Sequence, residues 1–314
     1  MKYIWPLISI FKVKRKMVAS PITHQPARLI EQIASSEVEK QYHEEVAMDV
    51  SKYFTDTKEV GLYECQQTGY RFFYPFTLAG DGAFYEELQK FDWYYADWKW
   101  DYDNALPYIH NGAKVLDIGC GYGNFLKYIK QHRNCDCTGL EFNDKAIQTG
   151  RENGIAMYDD TIQKHAETHQ EEYDIVCYFQ VLEHIADIDS FVSASIKTLK
   201  KGGKLIICVP NNNPYWYRYF KNHSLNMPPH HMGWWNKNAF EALAGIYPVK
   251  LDKIIEERLT RYRFYTKLGI KQAAGGNKGL ETFYKLLSPA ILAKNILAGK
   301  NIKAGNIMAV YTKQ

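Results

Sequence analysis

The sequence predicts a doubly wound α/β fold: a seven-stranded, mostly parallel sheet with a small N-terminal accessory module and inserted lids. Three observations predict it. The run Lys114-Val-Leu-Asp-Ile-Gly-Cys-Gly-Tyr-Gly-Asn124 is an apolar strand that ends in an acid and turns through glycines into an apolar helix start, Phe125-Leu126. A second short strand, Cys135-Asp-Cys-Thr-Gly-Leu-Glu141, also ends in an acid. From there to the C-terminus apolar strands alternate with helical patterns, the rhythm of a sheet covered on both faces.

Residues 20–75 read as the accessory module, with the aromatic run Tyr70-Arg-Phe-Phe-Tyr-Pro-Phe76 as a strand ending at Pro75. A helix is expected from Gly80 to about Phe91 and another over Asp103–Ile109, separated by the aromatic stretch Phe91-Asp-Trp-Tyr-Tyr-Ala-Asp-Trp-Lys-Trp100. The boundary between the module with its helical cap (1–95) and the main domain (96–314) falls in that stretch. In the main domain helices are expected at 123–132, 143–152, 161–170, 188–200 and 238–244. Strands are expected at 136–141, 155–158, 173–179, 203–209, 249–257 and 307–312. Two insertions, 211–237 and 259–304, fall on the side of the sheet where loop variation sets specificity.

Glycines at 119, 121 and 123 let the backbone pass close beneath a ligand. The spacing is G-x-G-x-G, and Asn124 stands where a dinucleotide binder's pattern would continue. Asp117 would repel a pyrophosphate, but it suits a ligand with cationic nitrogen, such as S-adenosylmethionine with its ammonium and sulfonium charges. Glu141 is placed to accept hydrogen bonds from both ribose hydroxyls of a nucleoside.

Two further runs complete the pattern: Tyr173-Asp-Ile-Val-Cys-Tyr-Phe-Gln-Val-Leu-Glu-His-Ile185 and Lys201-Gly-Gly-Lys-Leu-Ile-Ile-Cys-Val-Pro-Asn211. With these four motifs in order, the chain resembles the class I S-adenosylmethionine-dependent methyltransferases, in their small-molecule and glycan-modifying branch. Lys201 stands where that family often has Pro. The resemblance implies a Rossmann-like methyltransferase sheet and S-adenosylmethionine as cofactor. Its cofactor site would comprise Asp117, Gly119, Gly121, Gly123, Glu141, Phe142 against the adenine, Asp160 at the adenine edge, and Phe179 and Gln180. Asp160 also reads as part of a solvated turn, and Gln180 as a helix cap. The N-terminal helices would form a lid whose aromatic faces attract a sulfonium and exclude water, or else a packed core.

Relatives often carry paired cysteines of a zinc knuckle where this chain has Ser20-Pro-Ile-Thr23 and Cys65-Gln-Gln-Thr68. Cys65 alone remains of four ligands, so no metal is expected there. Asn213-Pro-Tyr-Trp216 looks like an amino-group methyltransferase signature, but it follows the wrong strand and reads as turn chemistry.

For a hydroxyl acceptor the chemistry needs a proton acceptor. The candidates are His184 and the pair His230 and His231 in Asn226-Met-Pro-Pro-His-His-Met-Gly-Trp-Trp235, with His231 preferred. A metal site built from Glu183, His184, His230 and His231 has no ligand spacing to support it, so none is expected. Each histidine could equally hold a lid backbone.

A formal charge of +4 over 314 residues argues against nucleic acid as the general partner, and 46% hydrophobic content suffices for a large core. Six cysteines beside apolar strands suit a reducing, cytoplasmic compartment. Residues 261–303 hold nine Lys or Arg against Glu281 alone, and residues 1–17 join an apolar run to a basic one. Both segments suit peripheral contact with an anionic membrane face; residues 1–17 read equally as a segment packed on the domain or partly disordered, and 261–303 as a surface for an anionic substrate or a solvated helical face. The expected activity is methyl transfer to a small molecule, first a hydroxyl of a sugar or glycan precursor, as in surface-polysaccharide enzymes. The rivals are an RNA or other nucleic-acid methyltransferase and a non-catalytic cofactor-binding or membrane-associated module.

Overall fold

The structure, a computed structural model, describes residues 17–91, 99–212, 223–258, 278–299 and 303–314. The N-terminal apolar and basic run, the aromatic residues 92–98, the Asn213–Trp216 turn and basic residues 261–271 lie outside them.

The main sheet is built from β4 (Lys114–Ile118), β5 (Asp136–Leu140), β6 (Ala156–Tyr158), β7 (Tyr173–Phe179), β8 (Leu199–Pro210), β10 (Val249–Arg258) and β11 (Lys303–Lys313). Its order is β10-β11-β8-β7-β4-β5-β6, with β11 antiparallel to both neighbours and the other pairings parallel. Seven strands with the parallel ones central is the arrangement the alternating pattern predicts. Both faces are covered, which is why β7 and β8 read as continuous apolar runs. One core layer gathers Leu116, Val176, Leu205 and Ile307, and the opposite layer gathers Val115, Ile175, Ile206 and Met308.

Helices α4 (Asn124–Arg133), α5 (Asp144–Glu152), α6 (Ile162–Thr168), α7 (Ile188–Thr198) and α8 (Lys237–Leu243) fall within a few residues of their predicted bounds. Side chains of Asn143, Thr161, Asp187 and Asn236 accept from backbone N–H groups of the first turns of α5 to α8. The helix predicted over Asp103–Ile109 instead forms α3 (Lys99–Ala105), followed by a 3₁₀ turn at Leu106–Tyr108. Pro107 explains the shift, since it lacks a backbone N–H and disfavours α geometry at Leu106.

The module is a second, antiparallel sheet: β1 (Arg28–Ala34), β2 (Glu59–Glu64), β3 (Arg71–Tyr74) and β9 (Gly233–Trp234), in the order β1-β2-β3-β9. It packs with α1 (Ser35–Val46) and α2 (Gly82–Leu88) around Val38, Tyr42, Leu62, Phe73 and Phe84. Arg71 pairs with Trp234 and Phe72 with Gly233, so the end of the insertion 211–237 completes the module's sheet. Gly233 is required by closeness: a Cβ there would lie 1.7 Å from the Tyr70 hydroxyl.

The turns at 20–23 and 65–68 face each other. The Thr23 hydroxyl lies 3.5 Å from the Cys65 sulfur. Burial alone would raise the Cys65 thiol, but hydrogen bonds from Ser20, Thr23 and Thr68 outweigh it and lower its pKa.

Within the insertion 259–304, α9 (Lys278–Gly299) exposes Leu280, Phe283, Leu286 and Leu287. No helix among the described residues is long and apolar enough to cross a membrane.

Trp235 joins the two sheets. It is fully buried, 4.4 Å from the Tyr70 ring on the module side and stacked 5.0 Å from Phe240 of α8. Replacing Trp235→Ala is expected to lower stability by about 3–5 kcal/mol. Urea unfolding measures this, and a loss below about 1 kcal/mol would show that the joint lies elsewhere.

Candidate active site

The site begins where β4 stops. Asp117 is buried on that strand between Gly139 of β5 and Cys177 of β7, and the Cys177 thiol lies 3.6 Å from its Oδ1. Burial pushes its carboxyl well above the usual range, the nearby Glu141 charge adds to the rise, and the Cys177 thiol opposes it. A buried acid in this condition favours a bound cation.

The chain then turns through Gly119, whose N–H donates to the Leu140 carbonyl at 2.8 Å. Gly119 has φ +69°, and a Cβ there would meet Val181 Cγ2 at 2.7 Å. Gly119 therefore serves two needs, the left-handed turn and the close approach of the loop that follows β7. Gly123 ends the turn at the start of α4, again with positive φ.

Glu141 closes the other side of this cradle. Its Oε2 accepts from Gly121 N at 2.8 Å, and its Oε1 from the N–H groups of Phe142 at 2.9 Å and Asn143 at 3.0 Å. These bonds hold the carboxylate at the glycine turn and leave it capacity for a further donor. Phe142 is 65% exposed, open to a flat ring. Asp160 pairs with Lys164 at the start of α6. The Phe179 ring packs 4.6 Å from Phe125, so it supports the turn from within the core.

Gln180 has φ +57°, uncommon for a non-glycine residue. Its Nε2 donates to Asp101 Oδ2 at 3.2 Å, and its N–H to the Cys208 carbonyl at 2.8 Å. Asp101 was not predicted. It sits fully buried on α3 and also takes hydrogen bonds from Asn306 at 3.1 Å and the Cys208 thiol at 3.3 Å. Burial pushes it up to about 6 against those hydrogen bonds. In the sequence Asp101 reads as an ordinary helix-terminal acid beside Asp103, and no local signal marks it as buried.

His184, His230 and His231 come together, although 45 residues separate the first two. Ring centroids lie 4.6 Å apart for His184 and His230, 5.0 Å for His184 and His231, and 4.5 Å for the stacked pair His230 and His231. The Nδ1–H of His184 donates to the His230 carbonyl at 2.7 Å, and that of His230 to the Leu225 carbonyl at 2.9 Å. The Nδ1 of His231 lies 3.1 Å from Asn226 Oδ1. Burial pushes His184 down to about 4 against carbonyls that favour its charged form. Burial and the neighbouring imidazoles hold His230 and His231 well below the ordinary value. The three are neutral bases.

The module places this cluster beside the cradle. The Tyr42 hydroxyl donates to the Met227 carbonyl at 2.9 Å and accepts from His230 N at 3.2 Å, fixing the Pro228-Pro229 loop. Tyr85 of α2 meets the His184 ring edge-on at 5.5 Å. Gln89, just past α2, accepts from Asn143 beside Glu141 at 2.6 Å. One short helix thus reaches from the imidazoles to the cradle.

A family model described as a methyltransferase domain matches residues 92–245. The chain is 30% identical over 152 residues to a ubiquinone biosynthesis O-methyltransferase of Pectobacterium carotovorum, covering 41% of this chain and 63% of that protein. It is 28% identical over 159 residues to the Escherichia coli protein of the same description, covering 43% and 65%. The chain thus spans less than two thirds of these relatives. A crystal structure of a SAM dependent methyltransferase from Archaeoglobus fulgidus aligns with a TM-score of 0.47 at 17% identity, covering 74% of this chain and 100% of that one.

Binding an ammonium beside Asp117 draws its raised pKa back down, so cofactor binding should release a proton and tighten as pH rises towards the free-state pKa. Calorimetric titration with S-adenosylmethionine in buffers of different ionisation enthalpy reads this directly. Asp117→Asn should remove the buffer dependence and weaken binding by about 1.5–3 kcal/mol. Equal heats in all buffers would remove Asp117 from the ammonium.

Proposed function

We propose that this chain, a member of the class I S-adenosylmethionine-dependent methyltransferases, moves a methyl group from that cofactor to a hydroxyl of a small molecule. The observation that carries the reading is the single cradle made by Asp117, the 119–123 turn and Glu141, with Glu141 Oε2 2.8 Å from Gly121 N.

The cofactor, when bound, supplies an electrophilic methyl on a positively charged sulfur. Asp117 pairs with the ammonium, and Glu141 accepts from the ribose hydroxyls. Phe142 offers a flat face to the adenine, and Gln180, held by Asp101, bounds the amino-acid end. Asp160 stands at the adenine edge. Because the imidazoles of His184, His230 and His231 are neutral, they can take up the hydroxyl proton without first losing one of their own. The loop with Pro228 and Pro229 fixes them in place, so little reorganisation is needed.

A sugar or glycan-precursor hydroxyl is the first acceptor class, on the resemblance to surface-polysaccharide enzymes. The relatives named for ubiquinone biosynthesis support a second, a hydroxyl on an intermediate of that route. The exposed Leu280, Phe283, Leu286 and Leu287 of α9 favour an apolar acceptor or a membrane face nearby, and a cytoplasmic enzyme with peripheral contact fits them. A mild formal charge of +4 favours either class over nucleic acid.

Incubation with labelled cofactor and both acceptor classes, followed by mass spectrometry, should yield a methylated hydroxyl product. Single His184→Ala, His230→Ala and His231→Ala variants that still bind cofactor should lose about 10²–10⁴-fold in turnover for at least one. Unchanged turnover in all three would exclude the imidazoles from the reaction.

A further inference from the structure

A base needs one imidazole, and here three converge. Each has an oxygen beside its Nδ1: the His230 carbonyl for His184, the Leu225 carbonyl for His230, and the side-chain oxygen of Asn226 for His231. Nδ1 therefore carries the hydrogen in every ring, and each Nε2 keeps a lone pair. The Asn226 amide is itself oriented, with its Nδ2 3.0 Å from Asn212 Oδ1. This outer ring of oxygens on Nδ1 is the arrangement that sets the tautomer of metal-bound histidine.

One ring nitrogen from each histidine lies within 4.8 Å of the others. Ring nitrogens brought this close together are placed to share one cation. On a zinc-like ion with bonds of 2.0–2.1 Å, tetrahedral ligands stand roughly 3.3 Å apart. Side-chain rotation of about 1.5 Å closes that difference.

Glu183 gives a second, independent sign. Its side chain is only 2% exposed, and its Oε2 has no hydrogen-bond partner. Its Oε1 stands 3.9 Å from His184 Nε2, too far for a hydrogen bond and near the spacing of groups around a shared cation.

We propose that His184, His230 and His231 form a three-nitrogen site for a divalent transition metal of the zinc class, with an open position that receives the acceptor oxygen. Imidazole nitrogens select zinc, iron, nickel or copper over magnesium and calcium, which require oxygen ligands. The identity of the ligand at the open position rests on the methyltransferase reading above, while metal binding does not. With the metal in place the three imidazoles serve as ligands instead of the base role proposed above, and the metal lowers the pKa of the bound hydroxyl. Its O–H bond breaks with the proton passing to water, the C–O bond forms, and the C–S bond breaks with its electron pair left on sulfur. The expectation of no metal rested on the lack of ligand spacing along the sequence, and the fold supplies in space what the sequence lacks.

The test is titration of chelator-stripped full-length protein with cobalt(II) as a spectroscopic stand-in. One equivalent should bind, with visible bands of a four- or five-coordinate nitrogen site and an increased melting temperature. Zinc should displace it. His231→Ala and His184→Ala should weaken binding more than about 100-fold, and Asn226→Ala, which frees the Nδ1 of His231 without removing a ligand, by about 10–100-fold. Wild-type protein that takes up no cobalt overturns the proposal without depending on any variant's folding. Equal binding by folded histidine variants overturns it as well, by placing the metal elsewhere. Cofactor calorimetry on the stripped protein keeps the two readings apart, since cofactor binding with no metal uptake leaves the methyltransferase reading standing and removes the metal site.

Discussion

A carboxylate buried at the end of a parallel strand, Asp117, is the constraint around which the main domain is arranged. Among the described residues its hydrogen-bonding side-chain neighbour is the thiol of Cys177, and the nearby charge of Glu141 has the same sign. Such a group is unfavourable in a low-dielectric interior unless a cation joins it. The surrounding geometry turns the backbone away from this carboxylate. Gly119 turns the chain away through a left-handed conformation, Val181 packs against it, and backbone amides hold Glu141 on the far side.

The histidine cluster has a different origin. It is assembled by the accessory module together with a loop of the main domain. Tyr42 of α1 holds the loop carrying Pro228 and Pro229, Tyr85 of α2 covers the imidazoles, and β9 pairs with β3. The module therefore forms one wall around the histidine cluster. In the module, hydrogen bonds from Ser20, Thr23 and Thr68 to Cys65 hold two turns together.

Much of this was legible along the chain. The strands at 136–140 and 173–179 and the helices at 124–133 and 144–152 lie almost where the alternation of apolar residues puts them, because period and turn chemistry are local properties. Gly119 and Asp117 were readable because a strand, an acid and a glycine turn must be consecutive to make a cradle. The helix displaced to Lys99–Ala105 shows the limit of that reading, since Pro107 shifts the boundary through a single missing N–H.

By itself, then, the sequence determined the doubly wound sheet, the two acids at its strand ends and the identity of the three histidines. Tertiary structure decided that β9 belongs to the module, that Asp101 is a buried partner of Gln180, and that His184 meets His230 and His231. The reason is physical. Local patterns report which face of an element is apolar, whereas contacts between distant segments depend on how those faces pack. The burial that lowers the pKa of three imidazoles and raises that of one glutamic acid arises only when the faces have closed together.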